Sequence, residues 1–150
     1  MYVLIQGLLS FFAALGFGII FNAPRKMLFH CGLVGGAGWL IYLQCNAWWT
    51  DPVKASFLGA FTVSVLAHLF AKAFRMPMII FSVAGIIPLV PGGLAYNAMR
   101  HVVEHDYLQA IPIASQAFMV SGAIAMGLVF AEVMIQLLFK FVIKNGALSK

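Results

Sequence analysis

Acidic side chains are nearly missing from this sequence: Asp and Glu together number 4 in 150 residues, against 9 Lys and Arg. Charged residues of both signs reach only 9%, where a soluble domain carries about a quarter. That scarcity excludes a water-soluble globular domain. No polar stretch is long enough to form a separate catalytic one, so the chain is not expected to be an enzyme. Cysteine is scarce too. The 2 present, Cys31 and Cys45, fall on one expected helix about 21 Å apart at the α-helical rise. That is beyond the reach of a disulfide within one chain, and both read as packed small apolar residues. The net charge of +5 is dispersed beside apolar runs and makes no nucleic-acid surface. What the chain has in abundance is hydrophobic residues, at 63%, with a mean hydropathy of +1.01. It reads as a single all-α transmembrane domain over residues 1–150, in contact with membrane lipid.

A span needs about 20 apolar residues. Four continuous candidates are present: Tyr2 to Phe21, Met27 to Cys45, Val53 to Phe70, and Pro112 to Phe139. Pro112 reads as a first-turn residue, where its missing N–H costs nothing. The first run has no basic residues before it and no small-residue cleavage site after it; Arg25 and Lys26 follow instead. It is expected to be a retained span rather than a removed signal. Trp48 and Trp49 fit an interfacial aromatic belt.

Between the third and fourth candidates lies a segment from about Met76 to Val103, interrupted by "IIPLVPGGLAYN" at 86–97. If this segment crosses, the chain makes five spans with the N-terminus outside and the C-terminus inside. Arg25, Lys26, Lys72, Arg75, Lys140, Lys144 and Lys150 then share the cytoplasmic side, leaving Lys54 and Arg100 outside, a division of seven to two. If the segment returns instead, Lys140, Lys144 and Lys150 move outside and the division becomes nearly even. The preference for cytoplasmic cations selects the crossing.

Each half of that segment is about 17 Å as helix, half a hydrocarbon core, so the interruption falls near the midplane. Pro88 cannot donate to the carbonyl of Ala84, nor Pro91 to that of Ile87. Ile87 and Val90, each preceding a proline, are expected to leave the helical region. Gly92 and Gly93 are expected to supply unusual torsions and close backbone approach. Two half-helices meeting at an unwound centre are tolerated in hydrocarbon only where protein covers the break or water fills it. The second half-helix would offer its N-terminal amides to an anion, and the free carbonyls of Ala84 and Ile87 would face a cation. Such discontinuous helices build the midplane sites of secondary transporters. Pro88, Pro91, Gly92 and Gly93 are therefore candidate substrate-site residues, with Tyr96 and Asn97 one turn further on. The competing reading is a proline-kinked structural helix.

Other intramembrane polar residues are few. Glu132 lies inside the last span, where a carboxyl is costly and by default functional. It is a candidate for proton coupling, with His68 as partner because imidazole titrates near neutrality. The alternative for Glu132 is snorkelling or pairing with Lys72, and for His68 a satisfied structural histidine. Gln136 sits one turn from Glu132. Gly32-x-x-x-Gly36 and Ala123-x-x-x-Gly127-x-x-x-Ala131 are small-residue stripes that permit close helix packing. Five helices barely enclose a pathway, which favours assembly with copies of the chain or with another subunit. "HVVEH", 101–105, matches an inverted zinc-protease pattern, in which His101 and His105 would share a helix face with Glu104 as base. At a membrane edge, without a third ligand well placed, it reads as an interfacial polar cap. No metal and no cofactor is expected.

Two stretches, "FNAPRKMLFHCGLVGGAGWLIY" (21–42) and "IIPLVPGGLAYNAMRH" (86–101), carry a family resemblance. Pro24 and Arg25 follow the first span, a glycine-rich second span ends in Trp39-x-x-Tyr42, and Val90-Pro91-Gly92 interrupts a later one. In these features the chain resembles the small subunit of the two-component threonine/serine exporter family. The resemblance implies a larger membrane partner subunit and residence in the bacterial cytoplasmic (inner) membrane. It also implies proton-driven export of small carboxylates, threonine and serine or a dicarboxylate such as succinate. A non-transporting assembly subunit is the alternative.

Overall fold

The computed structural model describes residues 2–147, with side chains up to 140. Lys150 and the Lys144 side chain lie outside what is described. Six α-helices account for most of it: α1 Tyr2–Ile20, α2 Leu28–Trp49, α3 Pro52–Phe74, α4 Ile79–Ile86, α5 Gly92–Val103 and α6 Tyr107–Ala147. Short 3-10 turns cover Arg25–Met27 and Ile87–Leu89. Four of the helices or helix pairs are long and apolar enough to span a membrane, and α4 with α5 makes a fifth if the bent pair counts as one span. The all-α, multi-pass architecture expected from composition is what the chain forms.

The connections are short and chemically explained. Thr50 closes α2 in the left-handed region (φ 53°) with its N–H on the Asn46 carbonyl. Asp51 then accepts the Val53 N–H at 3.0 Å, and Pro52 occupies the first turn of α3. This cap uses the two best N-terminal signals together. Desolvation pushes the Asp51 carboxyl up. Hydrogen bonds from the Lys54 side chain and from the Val53 and Lys54 amides outweigh it and hold the group below the usual aspartate range. Arg75 ends α3, again left-handed at φ 53°.

Three expected boundaries move. The second and third spans run further than their apolar cores, to Trp49 and Phe74, because nothing in "NAWW" or "KAF" stops a helix before the caps do. The last helix begins at Tyr107, so Pro112 is inside it rather than at its start. Asp106 is the reason: its carboxylate accepts the Gln109 N–H at 3.3 Å and its carbonyl accepts the Ala110 N–H at 3.0 Å. One missing donor at Pro112, a turn and a half later, is tolerated.

Glycine contact decides how the helices pack. A Cβ at Gly32 would stand 2.7 Å from the Phe11 ring, and one at Gly36 3.5 Å from the Gly7 carbonyl, so this stripe joins α1 to α2. Gly127 lies against the Phe57 carbonyl and Ala60, and Ala131 is buried, so the second stripe sets α6 on α3. Buried Ser64 adds a hydrogen bond from its hydroxyl to the Leu128 carbonyl at 3.2 Å. The half-helix α4 sits inside α1, α2 and α3, with Phe81 and Ala84 fully buried. Its partner α5 leaves that group and packs chiefly against α6. Large apolar side chains cover the outside, among them Leu108, Phe118 and Ile20, as lipid contact requires.

Candidate functional site

The break is narrower than two prolines imply. Ile87 keeps helical torsions (φ −51°, ψ −45°), contrary to the expectation that Pro88 would displace it. The backbone tightens into a 3-10 turn with Pro88 in its first positions, where no donor is needed. The chain leaves the helix only at Val90 (φ −61°, ψ 128°), the residue before Pro91, as the steric rule demands. The axes of the two halves then differ by 51°, so the second half continues onward without doubling back.

Leu89 anchors the break. It is buried, and its side chain fills a notch where α2 and α3 approach each other at Gly38 and Gly59. A Cβ at Gly59 would lie 3.0 Å from Leu89 Cδ2 and 3.1 Å from the Gly38 carbonyl. Gly85, two residues before the 3-10 segment, is pressed against Val34 and Val63. The α4 end of the break is thus closed by packing. The Ile87 carbonyl, expected to be free for a cation, accepts the Val90 N–H at 3.2 Å, and Ala84 is buried.

The α5 end is open. A cleft of about 380 Å³ lies between α5 and α6, with Val90, Pro91, Gly92 and Met99 on one wall and Phe118 and Ser121 on the other. Gly92 donates to the Val90 carbonyl at 2.8 Å, and the first intrahelical bond runs from Ala95 to Pro91. The amides of Gly93 and Leu94 therefore have no intrahelical acceptor. Neither glycine has positive φ, and a Cβ on either would meet nothing within 4 Å. The expectation of unusual torsions and close approach within the chain is overturned at both positions: the helix needs neither glycine, and the space beside them is empty.

The candidate residues divide into groups. Pro91 and Gly92 line the cleft. Gly93, Tyr96 and Asn97 are exposed and, with Arg100, follow one face of α5 at three- and four-residue spacing. Pro88 is half-buried and lies outside the cleft lining. Glu132 is exposed on α6, accepting a hydrogen bond from Gln136 at 3.3 Å. His68 lies elsewhere, with Nδ1 3.3 Å from Met78 Sδ and its ring stacked on Phe139 at 6.2 Å. Among the described residues no hydrogen bond or ion pair joins His68 to Glu132. Lys72 does not pair with Glu132 either; its Nζ sits 3.6 Å over the Phe139 ring.

Ser121 is the cleft residue that sequence reasoning missed. Its signal was present in part: Ala114, Ala117 and Ser121 put small side chains on one side of α6, but which face of α6 meets α5 is not written in that spacing. The Ser121 hydroxyl donates back to the Ala117 carbonyl at 2.9 Å, which leaves its lone pairs toward the surface. Phe118, Ser121, Gly122, Ala125, Val129, Glu132 and Gln136 are all exposed, and their spacing places them on one face.

The zinc-protease pattern does not assemble as written. α5 ends at Val103, and His105 takes a left-handed conformation at φ 60°, so His101 and His105 do not share a helix face. The acids serve neighbouring bases: Arg100 Nε is 2.9 Å from Glu104, and His101 Nδ1 is 3.6 Å from Asp106. Among the described residues no three His, Cys, Asp or Glu side chains are grouped for a metal.

A family profile described as "Threonine/Serine exporter, ThrE" matches residues 6–134. No solved structure matches the chain.

Proposed function

The chain belongs to the threonine/serine exporter family, a multi-pass membrane exporter family, and we propose that this protein is the small subunit of a two-component, proton-coupled exporter of small carboxylates in the bacterial inner membrane. The observation that carries the reading is the asymmetric break. Its α4 side is sealed by Leu89 between Gly38 and Gly59, and its α5 side opens a cleft with helix-terminal amides at the edge. Amides at a helix N-terminus favour a carboxylate.

The path would run along the outer face of α6, from Ser121 to Glu132, about 16 Å of helix. Tyr96 and Asn97 on α5 would orient the solute, and Glu132 would carry the proton. A carboxyl and an amide exposed to hydrocarbon are costly, which supports a larger subunit covering this face. The odd, open glycines support the same arrangement, since their small size serves no contact inside the chain.

The test is efflux of labelled threonine, serine and succinate from cells expressing this chain with the larger subunit. Gly92→Leu, at wild-type membrane abundance, is expected to stop efflux of the exported solute. If the variant assembles and exports at the wild-type rate, the cleft is not the path. If both proteins export only when present together, but substitutions at 88–93 change assembly alone, the chain is an assembly subunit.

A further inference from the structure

The end of the bundle opposite the Asp51 and Glu104 caps carries Arg25 and Lys26 in the turn before α2, Lys72 and Arg75 at the end of α3, and Lys140 on α6. All five are exposed. Among the described residues none forms an ion pair with an acid, whereas Lys54 and Arg100 at the other end each do. Paired charge at one end and unpaired positive charge at the other is a directional difference that packing does not require.

Beside those cations is an apolar cleft of about 280 Å³ between the end of α1 and the start of α4. Phe21, Asn22, Ala23, Ile79, Ile80 and Val83 line it. The cations border its lining residues along the chain. Asn22 turns left-handed at φ 57° and leads directly into Pro24-Arg25-Lys26. On the opposite wall, Arg75 is followed by Met76-Pro77-Met78 and then Ile79. The two rims are tied together: His30, one turn after Lys26, packs its ring 4.4 Å from that of Phe74, the neighbour of Arg75, and Cys31 Sγ donates to the Ile80 carbonyl at 3.5 Å.

We infer that this is a binding site for one anionic phospholipid, with Arg25, Lys26 and Arg75 on the phosphate and an acyl chain in the cleft between α1 and α4. Charge complementarity selects the ligand: basic side chains at the headgroup level between transmembrane helices attract anionic lipid, and the lining below is hydrocarbon-compatible. Zwitterionic lipid lacks the net charge, and a free phosphate leaves the cleft unfilled. The site lies apart from the α5–α6 cleft and does not depend on what is exported.

The experiment is native mass spectrometry of protein released from mixed vesicles of phosphatidylcholine and phosphatidylglycerol, counting lipid retained on the wild-type chain. One phosphatidylglycerol is expected to persist where phosphatidylcholine does not. The triple variant Arg25→Gln, Lys26→Gln, Arg75→Gln is expected to lose it. Ile79→Trp fills the cleft from an exposed wall position, keeps every cation, and is expected to lose it too. Equal retention of both lipids by the wild type would overturn the inference. So would undiminished retention by Ile79→Trp, which would mean only a diffuse electrostatic shell, and so would displacement by inorganic phosphate, which would mean a headgroup-sized anion site.

Discussion

Leu89 seats its side chain against the bare backbone of Gly59, so closely that a Cβ at the glycine would stand 3.0 Å from Leu89 Cδ2. A bulky residue from the broken helix thus meets the point where α2 and α3 nearly touch. This contact fixes one half of the break and leaves the other free to bend out toward α6.

Truncating that anchor has a direct consequence. Leu89→Ala removes a buried leucine from a notch whose walls are helix backbone and cannot collapse. The loss is expected to be about 2–5 kcal/mol, read as a lowered denaturation midpoint in detergent. A midpoint within error of wild type would mean the notch does not hold the break.

Gly127→Leu tests the union of α6 with α3. The nearest atoms to a new Cβ there are the Phe57 carbonyl oxygen, the Ala60 Cβ and the Phe61 nitrogen, none of which can swing aside. Overpacking of this kind costs about 1–3 kcal/mol or more. Reduced thermal stability is expected, while Gly122→Leu, where a Cβ meets nothing within 4 Å, keeps it.

Gly92 and Gly93 invert the usual expectation for glycine at a break. With helical torsions and open surroundings, Gly92→Ala is expected to leave stability unchanged or raise it by about 0.4–1 kcal/mol through the unfolded state. A drop in melting temperature would reveal a crowding that the fold does not contain.

Glu132→Gln removes the ionisable group from the exposed α6 face but keeps its hydrogen bond to Gln136 within reach. If Glu132 carries the proton, the variant reaches the membrane normally and loses efflux driven by a pH gradient. Undiminished gradient-driven efflux would assign the carboxylate a structural part.

Much of this architecture was readable before any coordinates. Long apolar runs and the packing stripes at Gly32, Gly36, Gly127 and Ala131 act through composition or helical spacing, and both are written in the sequence. The break was readable as to place but not as to shape. A residue-by-residue rule displaces Ile87, while the folded chain absorbs Pro88 in a 3-10 turn because Leu89 has somewhere to go. That notch is made by Gly38 and Gly59, which lie 51 and 30 positions away and become neighbours only through tertiary packing. For the same reason Ser121 was hidden: its place in the cleft depends on α5 swinging onto α6. The missing contact between His68 and Glu132 likewise depends on where α3 meets α6: His68 stacks on Phe139, two turns beyond Glu132, an offset along the helix that span counting does not contain.

The most direct measurement of the central claim is thiol labelling at the cleft. Ser121→Cys, placed in a background with Cys31→Ala and Cys45→Ala, is expressed in membranes with the proposed larger subunit and exposed to a small maleimide. The account predicts that the solute the cells export, whether threonine, serine or succinate, slows labelling at residue 121, and that a non-exported carboxylate does not. Labelling at one rate with and without the exported solute would contradict passage through the α5–α6 cleft.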